Sequence, residues 1–347
     1  MEPLTNDNIK EAVNLWCSNQ TEAKKTYGNI SQWNTSAVTS MSKLFYDCNM
    51  FNDDISGWDV SKVTDMSHMF NGAERFNKPI GQWDVSNVTN MSHMFYFAYA
   101  FDQDIGQWKV SKVTNMEKMF SYAQAFNKDI GNWNVSKVTN MDSMFWGAEA
   151  FDQDIGQWDV SKVTQMASMF RLAKEFNQDI GDWKVHNVTD MRHMFKEAES
   201  FNQDIGEWDV SNVEEMKYMF RGADAFNQDL SKWNVWYVEE DIDLRYLMFN
   251  IGYEEEKKPN FEQAKERLKD KKNVESLGQQ AKMNNKNYFK NNPAAKEFFS
   301  RKKEEGPGMD NVNYFLVGKS KKTTRKRKYK SKKKNISRKR KQSKRKI

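Results

Sequence analysis

Cysteine is almost absent from this chain. Cys17 and Cys48 are the only two among 347 residues, which excludes a disulfide framework and paired-cysteine metal sites of the C-x-x-C type. Both stand where the surrounding pattern calls for a small apolar residue, so we expect buried free thiols. Free thiols fit a reducing, intracellular compartment.

Long hydrophobic runs are also missing. No segment approaches the ~18 consecutive apolar residues of a membrane-spanning helix. The opening MEPLTNDNIK has neither the basic nor the apolar stretch of a signal peptide. We therefore expect an intracellular protein, in the nucleus or in a virion, that makes no membrane contact.

The familiar motifs of catalysis and cofactor binding do not occur. There is no G-x-x-x-x-G-K-S/T or G-x-G-x-x-G loop, no H-E-x-x-H and no G-x-S-x-G. Of the four histidines, His68, His93 and His193 share one register of the repeat described below, and we expect them to be exposed polar residues rather than metal ligands. The prediction is a protein that is not an enzyme and has no cofactor or metal.

Acidic residues are missing from the C-terminal end. Residues 319–347 hold 18 Lys or Arg and no Asp or Glu, whereas 29–253 hold 33 acidic and 19 basic residues. Such a segment cannot bury a core, so we expect a disordered tail. A run of this kind is typical of nuclear targeting or nucleic-acid contact, and a merely solubilising role is the alternative. The residues proposed to act in the tail are Lys321, Lys322, Arg325, Lys326, Arg327, Lys328, Lys330, Lys332, Lys333, Lys334, Arg338, Lys339, Arg340, Lys341, Lys344, Arg345 and Lys346.

What the chain does have is a 25-residue repeat that runs without gaps from Ile30 to Val238. The unit reads approximately F-N-Q-D-I-G-x-W-D-V-S-x-V-T-x-M-x-x-M-F-x-x-A-x-x. Columns of Ile, Met and Phe recur at this interval, and so does a column of tryptophan: Trp33, Trp58, Trp83, Trp108, Trp133, Trp158, Trp183, Trp208 and Trp233. One unit cannot bury these side chains alone, so stacking of the repeats must supply the core.

Each unit predicts one helix and one strand. Val63, Met66, Phe70 and Ala73 have the three-four-three spacing of a helical face, and a short strand is expected near Ile80 with a turn at the following glycine. The predicted fold class is α/β, a leucine-rich-repeat-like solenoid of about nine 25-residue strand–helix repeats with a helical N-terminal cap and a disordered basic tail.

Domain boundaries follow from where the repeat begins and ends. We predict a helical N-terminal cap over 1–28, with helices at 6–16 and 18–27, and a repeat solenoid over 29–253. A charged, partly helical segment follows over 254–318, and the tail occupies 319–347. An open end of a repeat stack exposes apolar surface, which is why a cap is expected.

Two polar columns accompany the core. Asn or Asp recurs in the register of Asn52, and Asp recurs in the register of Asp54 with a break at Pro79. Asn and Asp side chains accept from the backbone N–H groups of tight turns, so we expect turn capping. The alternative is calcium, which needs several oxygen ligands that converge on one ion. Glycine recurs in the register of Gly81, which suggests a close approach that a Cβ would oppose.

Extra aromatic residues lie between the core columns. Tyr96, Tyr99, Tyr122, Trp146 and Tyr218 are the candidate partner surface, because clustered exposed aromatics mark binding sites. Packing against adjacent repeats is the competing interpretation.

The repeat over 29–238, in the form W-D-V-S-x-V-T-x-M-x-x-M-F-x-x-A-x-x-F-N-Q-D-I, resembles the BspA-like leucine-rich-repeat surface-protein family, also known as the mycoplasma-lipoprotein-type repeat. This resemblance implies an adhesive or protein-binding role and no catalytic residues. Repeat proteins with Lys/Arg-rich tails also resemble products of large DNA viruses.

Three functions compete at this point. The first is an intracellular, monomeric protein-binding scaffold whose tail contacts nucleic acid or a nuclear import receptor. The second is a nucleic-acid-associated structural or virion protein that acts through the tail. The third is a secreted or surface adhesin.

Overall fold

A computed structural model describes residues 3–235, which lie within one unit of the chain, Met1–Lys269. The predicted repeats beyond residue 235, the segment 254–318 and the tail 319–347 lie outside the described residues.

Two helices precede the repeats, as predicted. Helix α1 spans Ile9–Ser18 and helix α2 spans Gln20–Tyr27, and a 3-10 turn follows at Ile30–Gln32. α1 is amphipathic: its buried residues are Ile9, Ala12, Val13 and Trp16, and they join the core of the repeats. α2 begins where the Asn19 side chain accepts from the Glu22 backbone N–H, and it ends at Gly28 with a φ of 73°.

The cysteines are bonded to each other, so the expectation of free, buried thiols is wrong. Cys17 at the exposed edge of α1 forms a disulfide with half-buried Cys48 of the first repeat, with Cα atoms 5.8 Å apart. Docking of α1 brings them together: Trp16 packs edge-on against Trp33, and its indole N–H donates to the Asp53 carboxylate. The disulfide therefore ties the helices to the repeats.

Within the described repeats the predicted helix and strand are wrong. From Trp33 to Val235 the described chain forms turns and isolated parallel bridges, with no α-helix and no strand. The bridges join equivalent residues of successive repeats: Ser40–Asp65, Asp65–Asn90, Asn90–Asn115, Asn115–Asn140, Asn140–Gln165, Gln165–Asp190 and Asp190–Glu215.

Backbone hydrogen bonds between repeats explain why no helix forms over 63–73. The N–H of Met66 donates to the Asn90 carbonyl of the next repeat, and that of His68 donates to the Ser92 carbonyl. Other N–H groups of the segment close four-residue turns, as in Met69 N–H to Met66 carbonyl. A φ of 56° at His68 is incompatible with a right-handed helix. The apolar spacing is that of a helical face, but the donors bind across repeats.

Core side chains stack on their equivalents. Trp83 and Trp108 lie 6.5 Å apart and nearly parallel, and Phe70 and Phe95 lie 5.6 Å apart. From Trp58 onward, each indole of this column also donates to a carbonyl of the preceding repeat, as in the 3.1 Å bond from Trp108 Nε1 to the Ile80 carbonyl. The Met, Phe, Trp and Ile columns are buried throughout the described repeats. A mismatched residue in one of these columns would leave its neighbours above and below without contacts.

The column of Asp54 caps turns, as expected, whereas the side chains in the column of Asn52 join one repeat to the next instead of capping a turn. The Asn77 side chain accepts from the Asp102 backbone N–H, and the Asp104 side chain accepts from the Gly106 backbone N–H. Glycine is required where repeats touch, because a Cβ on Gly106 would lie 2.5 Å from the Asp129 carbonyl oxygen. These contacts fix the spacing of the repeats, and with it the spacing of the surface side chains.

Candidate interaction face

Chemical variation between repeats is concentrated in one short segment. The positions equivalent to Ser67, His68, Asn71, Gly72 and Glu74 change class from repeat to repeat, while the core positions between and beside them stay apolar. The register of Asn71, for example, reads Asn71, Tyr96, Ser121, Trp146, Arg171, Lys196 and Arg221. We call the residues at these five positions, from Ser42 to Asp224, the variable face.

The backbone of this segment holds the variable side chains on one side. Met66, Met69, Phe70 and Ala73 are fully buried. The positions between them range from buried to exposed. Because the N–H groups of the segment bind the next repeat, equivalent positions align in rows. A constant core thus carries a row of changing surface chemistry.

Aromatic rings form an unbroken row of contacts along the N-terminal part of the variable face. Its members, which we call the aromatic track, are Tyr46, His68, His93, Tyr96, Phe97, Tyr122 and Trp146. Successive ring centroids are 4.1–6.3 Å apart. Tyr99 joins from the side, with its ring 5.9 Å from that of Phe97.

Exposed large hydrophobic residues are gathered at the same place. Among the described residues they are Tyr46, Met50 and Tyr99, with 49%, 67% and 37% of their surface exposed. Two belong to the variable face and Met50 directly follows it in sequence. Solvent-exposed apolar groups that collect on one face, rather than scatter, indicate a contact surface.

The histidines are half-buried, so the expectation that they are exposed is wrong for this column. His68 and His93 stack at 4.3 Å. Burial, the main cause, and charge repulsion from neighbouring His68 together lower the pKa of His93 to about 4, while Glu117 opposes the change. Burial is likewise the main cause that lowers the pKa of His193 to about 4. At neutral pH both imidazoles are therefore uncharged.

The C-terminal part of the variable face is rich in cations. The Arg171 guanidinium lies over the Trp146 ring, with Cζ 4.7 Å from the centroid. His193 stacks on Tyr218 at 5.5 Å. Arg192 and Lys196 are each paired with a neighbouring carboxylate, Asp190 and Glu197 respectively.

The predicted surface residues divide into two groups. Tyr96, Tyr99, Tyr122 and Trp146 come together in or beside the aromatic track, whereas Tyr218 lies beside His193 in the cationic part. All but Tyr99 are half-buried, so packing against adjacent repeats is also present. The predicted tail residues, Lys321 to Lys346, lie outside the described residues.

Sequence reasoning missed Tyr46, His93 and Arg171 as members of this face, and Met50 beside it. The signal that identifies Tyr46 and Arg171 is register, because both occupy the column of Tyr96 and Trp146. His93 shares a column with Tyr218 in the same way. Treating the variable columns as one surface, rather than selecting aromatics singly, would have found these three.

Other kinds of site find no support in residues 3–235. That part of the chain contains no group of three or more His, Cys, Asp or Glu side chains that could hold a metal ion. Its helices are too short and too polar to cross a membrane.

The repeats match a known family model. Four overlapping matches cover residues 15–130, 98–191, 124–233 and 152–257. No curated protein and no solved structure matches the chain. The matches span well over half of the sequence, so the chain belongs to the family described as Mycoplasma protein of unknown function, DUF285.

Proposed function

We propose that this chain is a non-enzymatic, protein-binding repeat scaffold, a solenoid whose variable face contacts the partner. One observation carries the proposal: residues that differ in chemistry from repeat to repeat collect on one face, together with the exposed aromatic and methionine side chains. The core columns are constant because stacking needs them to be.

Aromatic residues suit such a role. Tyr, Trp and Met supply large contact areas at low entropic cost and are enriched in the cores of protein interfaces. The aromatic track spans the repeats from Tyr46 to Trp146, and charged groups such as Lys118 and Glu149 lie in its vicinity. An apolar strip with polar neighbours is the usual layout of a binding patch.

Site-specific photo-crosslinking in the native cell tests the proposal. A photoreactive phenylalanine analogue replaces Tyr99 in the full chain, and a matched variant carries it at exposed Lys137, which is outside the variable face. We expect a discrete protein adduct from position 99 and none from position 137. Adducts of equal pattern from both positions, or none from position 99, would contradict the proposal.

The compartment is proposed from the disulfide. Disulfides persist in oxidising environments and are uncommon in reducing ones, so Cys17–Cys48 supports a surface or secreted location over the intracellular one expected from the sequence. The BspA-like resemblance agrees with that location, since members of that family are surface proteins. Alkylation of free thiols before denaturation in native extracts tests it: two blocked thiols would contradict a surface location.

A second function, contact with nucleic acid, is favoured by the tail composition alone. Eighteen basic and no acidic residues in 319–347 attract any polyanion through counterion release, which would also suit a nuclear or viral protein. Duplex DNA binding is measured by fluorescence anisotropy across a salt series, for the full chain and for a chain that ends at Gly318. Binding that falls steeply with salt and disappears on truncation supports it, and absence of binding at low salt contradicts it.

A further inference from the structure

Three cations act on one uncharged histidine in the C-terminal part of the variable face. Burial is the main cause that lowers the pKa of His193, charge repulsion from Arg171, Lys196 and Arg192 lowers it as well, and Asp190 opposes the change. The backbone explains their proximity: the Ser168 N–H binds the Arg192 carbonyl, and the Leu172 N–H binds the Lys196 carbonyl. Arg192 and Lys196 therefore lie on the repeat that is hydrogen-bonded to the segment with Arg171.

These cations are not equally compensated. Arg192 binds the Asp190 carboxylate through Nε and Nη2, and Lys196 lies 3.4 Å from a Glu197 oxygen. The Arg171 guanidinium forms no ion pair and no side-chain hydrogen bond with any described residue, and rests on the Trp146 ring instead. A guanidinium held against an aromatic face keeps its N–H groups directed outward in its own plane.

Five buried side-chain atoms make no hydrogen bond within residues 3–235, and three of them lie at this place: Trp146 Nε1, Arg171 Nε and His193 Nδ1. A buried polar group without a hydrogen bond costs about 1–3 kcal/mol. A bound ion that supplies the missing hydrogen bond is one explanation of such atoms.

We propose that Arg171 and His193 form an oxyanion-binding site on the variable face, for a phosphate, sulfate or carboxylate group, with Lys196 and Arg192 adding positive potential. Arg171 donates from its guanidinium, and His193 donates from its ring when the anion stabilises the imidazolium. Arg171 Nε and His193 Nδ1 are both buried. The flexible Arg171 side chain therefore rotates to admit the anion. Arginine suits planar or tetrahedral oxyanions because its N–H groups match their oxygens in pairs.

This site goes beyond the proposed function. Its test uses a small anion as the probe, so the result does not depend on whether a protein binds the variable face. The chain has four histidines and none in the basic tail. NMR of the full chain with isotope-labelled histidine therefore gives four ring signals, and the His193→Gln variant identifies one of them. The basic tail, which binds anions by itself, contributes no signal.

The probes are inorganic phosphate and glutarate, each compared with chloride at equal ionic strength. We expect a saturable shift of the His193 signal with at least one probe and a rise of its pKa from about 4, with His68, His93 and His186 nearly unmoved. Arg171→Gln should weaken the response at least tenfold, and Lys137→Gln should leave it unchanged. Unmoved His68 and His93 signals show that the Arg171 variant is folded.

Preference for phosphate would assign the group to a phosphorylated partner or free phosphate, and preference for glutarate would assign it to an acidic side chain; either supports the site. No saturable shift of His193 with either anion, or an equal shift in Arg171→Gln, would overturn it.

Discussion

At the scale of single residues, the repeat tolerates change in one set of columns and resists it in another. Glycine shows the reason most simply. A Cβ on Gly106 would meet the Asp129 carbonyl oxygen of the next repeat at 2.5 Å, whereas the nearest atom to a Cβ on Gly57 is 3.8 Å away. The sequence predicted this close approach from recurrence of glycine, but the contacting atom could be identified only from the stacking of repeats.

The two glycines make a matched pair of substitutions. Gly106→Ala should lower the free energy of unfolding by about 2 kcal/mol, because backbone atoms must move to relieve the overlap. Gly57→Ala should change it by less than about 1 kcal/mol, and in the stabilising direction if the unfolded chain loses entropy. Urea unfolding followed by tryptophan fluorescence measures both. Equal effects would show that the close approach does not limit stacking.

Histidine burial makes stability depend on pH. The pKa of His93 and of His193 is about 4 in the folded chain, below about 6.5 for an unfolded one. Folding therefore favours the neutral imidazole. Its contribution to the free energy of unfolding is complete above pH 6.5 and is lost as the pH falls from 6.5 towards 4. We expect a lower melting temperature at pH 5 than at pH 7. Most carboxylates are ionised at both pH values, so they contribute little to this difference.

Replacement with a residue from the same column isolates this effect. Ser143 and Ser168 occupy the register of His93 in other repeats, so His93→Ser keeps a residue that the column accepts. The variant should lose part of the drop in melting temperature between pH 7 and pH 5. An unchanged drop would assign the pH dependence to other groups.

At the scale of elements, local patterns predicted the N-terminal helices but not the repeat conformation. α1 was recognisable from Ile9, Ala12 and Val13 because a helix closes its own hydrogen bonds, so its pattern is complete within a few residues. Over 63–73 the spacing is the same, yet the N–H groups bind residues 24 positions ahead. Spacing of apolar residues reports which side chains are buried, and it does not report where the backbone donors bind.

Cysteine pairing has the same explanation. Cys48 occupies the alanine column, which correctly indicates a small residue next to the core, but the column contains no information on what lies beside the first repeat. Only docking of α1 places Cys17 within bonding distance.

Breaking the Cys17–Cys48 disulfide should destabilise helices α1 and α2 more than the repeats. The bond closes a loop over a sequence separation of 31 residues, for which an entropic contribution of about 3 kcal/mol is typical. Cys17→Ser with Cys48→Ala, the residue of that column, should speed amide exchange in α1 and α2 more than in the repeats around Trp133. A thiol reductant should also speed amide exchange in α1 and α2 of the native chain, and it should not change the exchange rates of the variant. Uniform faster exchange throughout would contradict a local effect.

At the scale of the whole molecule, the described chain separates constant core columns from a variable face. Columns such as that of Trp133 are buried and constant, while Tyr99 and its neighbours on the variable face differ from repeat to repeat. In a repeat protein each unit contacts its neighbours, so surface positions can change without loss of the common core. The sequence showed the repeat and its core columns directly, and the structure was needed to show that the variable columns form one face.

Stability and binding should therefore respond to different substitutions. Tyr99→Ser removes a partly exposed ring and should change the free energy of unfolding by no more than about 0.5 kcal/mol. Trp133→Ala removes a buried, stacked ring whose indole N–H bonds to the Ile105 carbonyl, and it should cost about 3–5 kcal/mol. Chemical unfolding measures the free energy of unfolding of both variants. Equal losses for Tyr99→Ser and Trp133→Ala would show that the variable face itself stabilises the stacked repeats.

The most direct test of binding through the variable face is the affinity of the partner recovered by crosslinking from position 99. Its dissociation constant is measured for the native chain, for a Tyr99→Ser, Tyr122→Ser variant, and for Lys137→Ser as the control, all with unchanged circular dichroism. We predict at least a tenfold loss of affinity for the tyrosine variant, since central aromatic residues carry about 2 kcal/mol or more of binding free energy, and no change for the control. Equal affinity of all three proteins would contradict the account.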